Sequence, residues 1–263
     1  MAESATAEAA PSTFGVPGIR QLRFADLAEA LAKGRDDFLA KPSHMVFLSI
    51  IYPLVALVAS RLTFGYQILP LLFPLCAGFA LVGPIAAVGL YEISRRRERG
   101  ETPSWYHALN VVRAPGIGAL LAIAVMLAAI FLAWLGAAHL IYTATLGGPP
   151  ASVGAFLGML MTEPAGWTLV VAGNLVGLVF AAIVLTLTVV SVPMILHRNV
   201  GALTAIRTSV RAVRRNPVIM AAWGLTVAAL LILGAIPGFV GLAITVPILG
   251  HATWHLYRRT VTA

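Results

Sequence analysis

The sequence predicts an all-α, polytopic membrane protein with six transmembrane helices as three hairpin repeats, each preceded by a cytoplasmic amphipathic helix. Three observations carry that expectation. The 263 residues are 59% hydrophobic and only 11% charged, against about 45–50% apolar and about 25% charged in a soluble domain. Six apolar runs approach or exceed the roughly twenty residues needed to cross a hydrocarbon core of about 30 Å. Every lysine and arginine except Arg61 then falls in segments that one face of the bilayer would hold, as expected when basic residues near helix ends resist translocation.

The first eighteen residues, MAESATAEAAPSTFGVPG, carry glutamates, small residues and prolines. They lack the basic start and apolar stretch of a signal peptide, so a disordered tail is expected over 1–18 and insertion is assigned to the first span. The membrane domain is expected over 19–263, with repeats at about 24–93, 102–197 and 199–259. In the first repeat Phe24, Leu27, Leu31 and Phe38 share a helix face opposite Asp26, Glu29, Lys33 and Asp36. Pro42 follows, and the spans are 44–60 and 68–91. In the second, Thr102 and Pro103 make a cap and first turn before Trp105, Leu109 and Val112; Pro115 then opens spans 117–143 and 168–195. In the third, Leu203, Ile206, Val210 and Val213 form a stripe flanked by Arg207, Arg211 and Arg214, and Pro217 opens spans 217–234 and 237–257. A proline at a helix's first turn loses no hydrogen bond, which suits all three positions. Between the outer ends of the third and fourth spans, 152–161 is apolar but too short to cross, and reads as an interfacial or re-entrant helix.

The arginines group as Arg95, Arg96, Arg97 and Arg99 with Arg113, then Arg198 with Arg207, Arg211, Arg214 and Arg215, then Arg258 and Arg259. With the lysines and arginines before the first span, they place both termini in the cytoplasm. The net charge of +8 is spread in clusters between apolar runs and not over one soluble surface, which argues against nucleic acid as a partner. Membrane lipids are the expected partners, with Arg95, Arg96, Arg97, Arg207, Arg211, Arg214, Arg215, Arg258 and Arg259 at anionic headgroups, and other inner-membrane proteins are a further class.

The closing spans echo one another. Eleven residues separate Pro84 from Arg95 in GPIAAVGLYEISRR, and eleven separate Pro247 from Arg258 in VPILGHATWHLYRR. That alignment pairs Glu92 with His255. SVPMILHRNV keeps Pro193 and Arg198 at shorter spacing. His251 and His255, four apart on one helix face, raise the question of a metal or haem. His139 stands about 20 Å away along the membrane normal and cannot share an ion with them. Glu92, His107 or His197 could join them from the same side. The alternative, taken here, is a polar cluster of Glu92, His251, His255, Trp254 and Tyr257 where the hairpins converge, with no metal and no cofactor. The single cysteine, Cys76, allows neither an internal disulfide nor a cysteine-based zinc site. GNLVG, residues 173–177, is a small-residue pair able to admit a neighbouring backbone. HExxH, GxSxG and P-loop motifs are absent, so no catalytic residue is assigned.

GPIAAVGLYEISRRRERG, the VSVPMILHR segment with TAIRTSVRAVRRNP after it, and GHATWHLYRR together resemble a family of bacterial integral membrane proteins catalogued only as a domain of unknown function. The resemblance runs from about Phe24 onward and implies a six-span protein of the bacterial inner membrane. Some members carry automatic labels linking them to cytochrome c oxidase subunit I, a role that needs several histidines at one depth. It implies no catalytic residue. The expected function is therefore a non-enzymatic scaffold, assembly or lipid-interface protein. The alternatives are a permease or channel, for which proline-broken spans speak while a midplane empty of ionisable groups does not, and a haem- or metal-binding accessory subunit of a respiratory complex.

Overall fold

The computed structural model describes residues 17–42, 69–104, 113–148 and 150–262. Regular structure among them is helical: α1 (Phe24–Ala40), α2 (Leu69–Ala86), α3 (Val88–Glu98), α4 (Ile117–Thr145), α5 (Val153–Thr162), α6 (Pro164–Thr188), α7 (Ser191–Arg198), α8 (Ala202–Arg215), α9 (Pro217–Ala235) and α10 (Leu242–Thr260). The expected first span, 44–60, and the amphipathic stretch at 105–112 lie outside the described residues.

Four stretches among the described residues are long and apolar enough to cross a membrane: Pro70–Glu98, Ile117–Thr145, Pro164–Arg198 and Pro217–Ala235. They overlie the expected second to fifth spans. Helix α10 occupies the place of the sixth but is not among the four, because His251, His255, Arg258 and Arg259 fill its second half. Two of the long stretches are interrupted just beside a proline. Pro84 has no N–H for the Ala80 carbonyl, and α2 breaks at Ala87 before resuming as α3. Pro193 likewise withholds a donor from Val189, and the chain breaks at 189–190 between α6 and α7.

Helices α2, α4 and α6 pack through one aromatic residue. Trp134 of α4 donates from Nε1 to the Pro74 carbonyl at 2.8 Å and meets Phe180 of α6 at 5.7 Å between ring centroids. Gly177 leaves room for the Trp134 ring, where a Cβ would come within 3.1 Å, whereas Gly173 faces open space. The small-residue pair therefore admits a side chain at one member, and the expected close backbone approach at both is corrected. Helix α5 is capped by Ser152, whose Oγ accepts from Ala155 N at 3.1 Å. It folds against the start of α6, with Phe156 on Tyr142 at 6.4 Å.

Helix α10 has the most buried environment. Beyond Pro247 its buried residues include Leu249, His251, Ala252, Trp254, Leu256 and Tyr257. Gly250 abuts Leu90 of α3, and Gly34 of α1 lies against the Ala252 backbone, 2.6 Å from a Cβ built on that glycine. The ends of the described chain meet across an antiparallel bridge between Ile19 and Val261, with Arg20 N donating to Thr260 O at 2.9 Å and Thr262 N to Gly18 O at 3.0 Å. Buried Asn216, between α8 and α9, accepts from Leu22 N at 2.7 Å and donates to Arg20 O at 3.1 Å.

Two amphipathic faces differ from the expected ones. In α1 the buried face is Asp26, Leu27, Ala30, Gly34, Asp37 and Phe38, while Phe24 is exposed. Asp26, expected among the solvated residues, is buried because Arg259 reaches it from α10. In α8 the buried stripe is Ala205, Thr208, Ser209 and Ala212. Small side chains let α8 lie close to the α6–α7 junction, where Ser209 Oγ accepts from Val190 N at 3.2 Å. The expected apolar stripe falls on the flank, partly exposed at Ile206, Val210 and Val213 and exposed at Leu203.

Candidate functional site

The C-terminal ends of Pro70–Glu98, Pro164–Arg198 and α10 gather with the first turn of α4, the Asn216 junction and α1, so most basic residues lie at one charged end. Its centre is Asp37, projected from the last turn of α1 between α3 and α10. Asp37 Oδ2 accepts from Ser94 Oγ at 2.5 Å and from His255 Nε2 at 2.8 Å. Its Oδ1 accepts from Arg97, which also donates to the Asp36 carbonyl at 3.1 Å. Burial opposes charge on this carboxyl, yet the hydrogen bonds from His255 and Ser94 and the nearby imidazoles outweigh it, holding the pKa below the ordinary aspartate value.

Ser94 joins Asp37 to His251, with 2.8 Å between Oγ and Nδ1. Because the serine proton is directed at Asp37, the network assigns a proton to His251 Nδ1, which donates to Ser94. His251 Nε2 is then a bare acceptor, fully buried and without a hydrogen-bond partner. Serine, histidine and aspartate are the residues of a hydrolytic triad, but here serine stands between the other two. A nucleophilic serine needs histidine in the middle to take its proton and an exposed oxygen to attack with; Ser94 is buried and has neither.

Further carboxylates organise the surrounding arginines. Glu92, buried on α3, accepts from Arg95 Nε at 2.7 Å, Arg95 Nη2 at 2.9 Å and Arg96 Nε at 2.7 Å; Arg96 Nη1 continues to Glu101 at 2.9 Å. Glu98 accepts from Arg258 Nε at 3.0 Å and Trp254 Nε1 at 3.2 Å. Asp26 accepts from Arg23 N at 2.7 Å, Arg259 Nη1 at 2.6 Å and Arg20 Nη2 at 3.2 Å. Burial again opposes ionisation there, and the Arg23 amide with the two guanidiniums leaves Asp26 below its ordinary pKa. Trp254, Tyr257 and His197 form a ring cluster with centroids 5.6–5.7 Å apart, and His197 Nδ1 meets the Tyr257 hydroxyl at 2.8 Å.

The structure thus gathers Glu92, His251, His255, Trp254 and Tyr257 at one end, but Glu92 and His255 do not bond each other: arginines hold the first and Asp37 the second. His139 is exposed on α4 and takes no part. Among the described residues no three histidine, cysteine or acidic side chains form a set able to hold a metal ion. Sequence reasoning missed Asp37, Ser94 and Glu98; it assigned Arg97 to lipid headgroups, where the structure pairs it with Asp37, and raised His197 only as a further ligand, where it meets the Tyr257 hydroxyl. The available signal was Asp26, Ala30, Gly34 and Asp37, which share one face at helical spacing, with small residues between two acids marking a close helix contact.

Arg207, Arg211, Arg214 and Arg215 of α8 are different. All four are exposed, and no salt bridge among the described residues involves them.

Residues 72–197 match the family model described as "Predicted integral membrane protein (DUF2189)", a domain of unknown function. The match takes in GLYEISRR and SVPMILH as far as His197, from two of the segments that suggested such a family; TAIRTSVRAVRRNP and GHATWHLYRR lie outside it. No curated protein and no solved structure matches.

Proposed function

From the match to an integral membrane family, we propose that this protein acts at the lipid interface of the bacterial inner membrane, as a six-span body of three hairpins with its charged end in the cytoplasm. The observation that carries the proposal is the contrast among its arginines. Those of α3 and α10 are answered by Glu92, Glu98, Glu101, Asp26 and Asp37, while the four of α8 are exposed beside a partly exposed apolar flank. A helix that buries small residues inward and presents guanidiniums next to Leu203 suits a headgroup layer. Each such arginine near an anionic surface contributes about 1 kcal/mol of attraction.

The permease alternative calls for a polar cavity midway along the spans; two cavities among the described residues lie instead at the charged end. A scaffold role for other inner-membrane proteins is compatible with the lipid-interface reading.

The full chain in nanodiscs of mixed phosphatidylglycerol and phosphatidylcholine should gather phosphatidylglycerol around itself. Replacing the four α8 arginines by glutamine should abolish that enrichment and leave the thermal unfolding midpoint unchanged. Enrichment that survives the replacement overturns the proposal. For the topology, Arg99→Cys and Arg211→Cys in a Cys76→Ala background should react with a membrane-impermeant maleimide from the same side; labelling from opposite sides removes the hairpin arrangement.

A further inference from the structure

A cavity of about 320 Å³ opens between the last turns of α3 and α7 and the 113–116 turn that leads into α4. Pro70–Glu98 and Pro164–Arg198 end beside it and Ile117–Thr145 begins beside it, so it sits where three spans leave the hydrocarbon. Its lining is mixed in chemistry. Apolar surface comes from Pro115, Leu120, Ile195 and Leu196, and cationic surface from Arg95, Arg96 and Arg113. Gly116 seats the turn on α7, because a Cβ there would come within 2.9 Å of Ile195.

The charge on the cationic surface is incompletely matched. Glu92 is the acidic residue in the lining, and it occupies Nε and Nη2 of Arg95 and Nε of Arg96, while Glu101 from outside the lining takes Nη1 of Arg96. Each guanidinium offers five N–H groups, so donors remain after both carboxylates are satisfied. Arg113 is exposed and makes no salt bridge among the described residues. Helix α4 begins here with no acidic residue in its first turn and no side-chain cap among the described residues, so the positive end of its dipole favours an anion at this end of the cavity.

We infer that this cavity binds one anionic, acyl-bearing molecule, the phosphate headgroup of a membrane lipid, with phosphate on Arg95, Arg96 and Arg113 and the start of an acyl chain along Leu120 and Ile195. Guanidinium N–H pairs suit phosphate oxygens, the volume lies within the range of small-ligand clefts, and the apolar surface sets this ligand apart from a free phosphate ester. The inference rests on the lipid-interface reading and narrows it from a surface preference to one retained molecule.

The full chain, extracted from nanodiscs of equal phosphatidylglycerol and phosphatidylcholine, would be weighed by native mass spectrometry. One phosphatidylglycerol should stay bound per chain. Arg113→Gln should cut that retention about tenfold, as expected for loss of a charge-assisted contact, with an unchanged melting midpoint showing that the fold is intact. The α8 four-glutamine variant should keep the retained lipid while losing the surrounding enrichment, so the two readings fail separately. Equal retention of the two lipids, undiminished retention in Arg113→Gln, or displacement by an equal concentration of glycerol phosphate overturns the inference.

Discussion

Along α4, Leu121, Val125, Leu132 and Leu140 point away from the protein, and Leu120, Ile123, Leu127, Trp134 and Ala138 face inward. Along α10 the second half is enclosed by α1, α3 and the α7 aromatic cluster, and polar and apolar residues alike are buried. Helix α4 is apolar nearly all round, with a surface that asks for lipid. Helix α10 mixes histidines, arginines and a tryptophan that are stable only because neighbouring helices supply carboxylates and hydroxyls at hydrogen-bond distance. One helix is held by solvent matching and the other by specific partners, so substitutions should spread widely around α10 and little on the outer face of α4.

The largest effect is expected at Asp37. Asp37→Ala strands Arg97, His255 and Ser94 at a buried site and should lower stability by about 3–5 kcal/mol, read by thermal unfolding in detergent; a drop no larger than that of an exposed substitution on α4 would erase the contrast. The same carboxyl sets a pH signature. Its folded pKa lies below the unfolded value of about 3.9, so its contribution is present above that value and lost as pH falls through the folded pKa. The stability gap between the native protein and Asp37→Asn should therefore close as the pH falls below about 4.

Next comes the α1–α10 contact. Gly34→Val drives a side chain into the Ala252 backbone and should cost about 1–3 kcal/mol, with trypsin then cutting at Lys33 and Arg35 sooner. At the margin of the same region, Asn216→Ala removes the acceptor for Leu22 N and the donor to Arg20 O, a loss of about 1–2 kcal/mol. The smallest effects should separate two glycines of the lipid-facing body. Gly173→Ala meets open space and should stabilise by up to about 1 kcal/mol through helix propensity. Gly177→Ala crowds Trp134 and should forfeit that gain, so a thermal scan should rank the pair in that order.

Four spans were legible because hydrophobic length is a property of the local chain: the runs expected at 68–91, 117–143, 168–195 and 217–234 overlie the four long apolar stretches. The proline positions were equally local, and Pro84 and Pro193 lie beside the helix breaks. The polar cluster was legible in part, since the echo of GLYEISRR in GHATWHLYRR brought Glu92, His251 and His255 to one end. What escaped was pairing. Which carboxylate answers which cation depends on how α1 is rotated and docked on α10, and a chain read residue by residue holds no such information. The amphipathic pattern of α1 assigned Asp37 to neither the apolar nor the polar face. Asp37 is buried because Gly34 lets α1 approach closely enough for it to reach two histidines. The apolar stripe of α8 misled for a related reason: close packing there selects the smallest side chains, not the greasiest.

The bridge between Ile19 and Val261 joins segments far apart along the chain. On the ribosome, residues 18–22 emerge long before Thr260 and Asn216 exist to receive them, and α1 waits for α10 throughout insertion of the intervening helices. The contact between α1 and α10 can latch only after translation has delivered Thr260. A chain stalled or clipped before Leu242 would leave Asp26 and Asp37 with their partners on α10 missing, a ready handle for a quality-control protease to recognise.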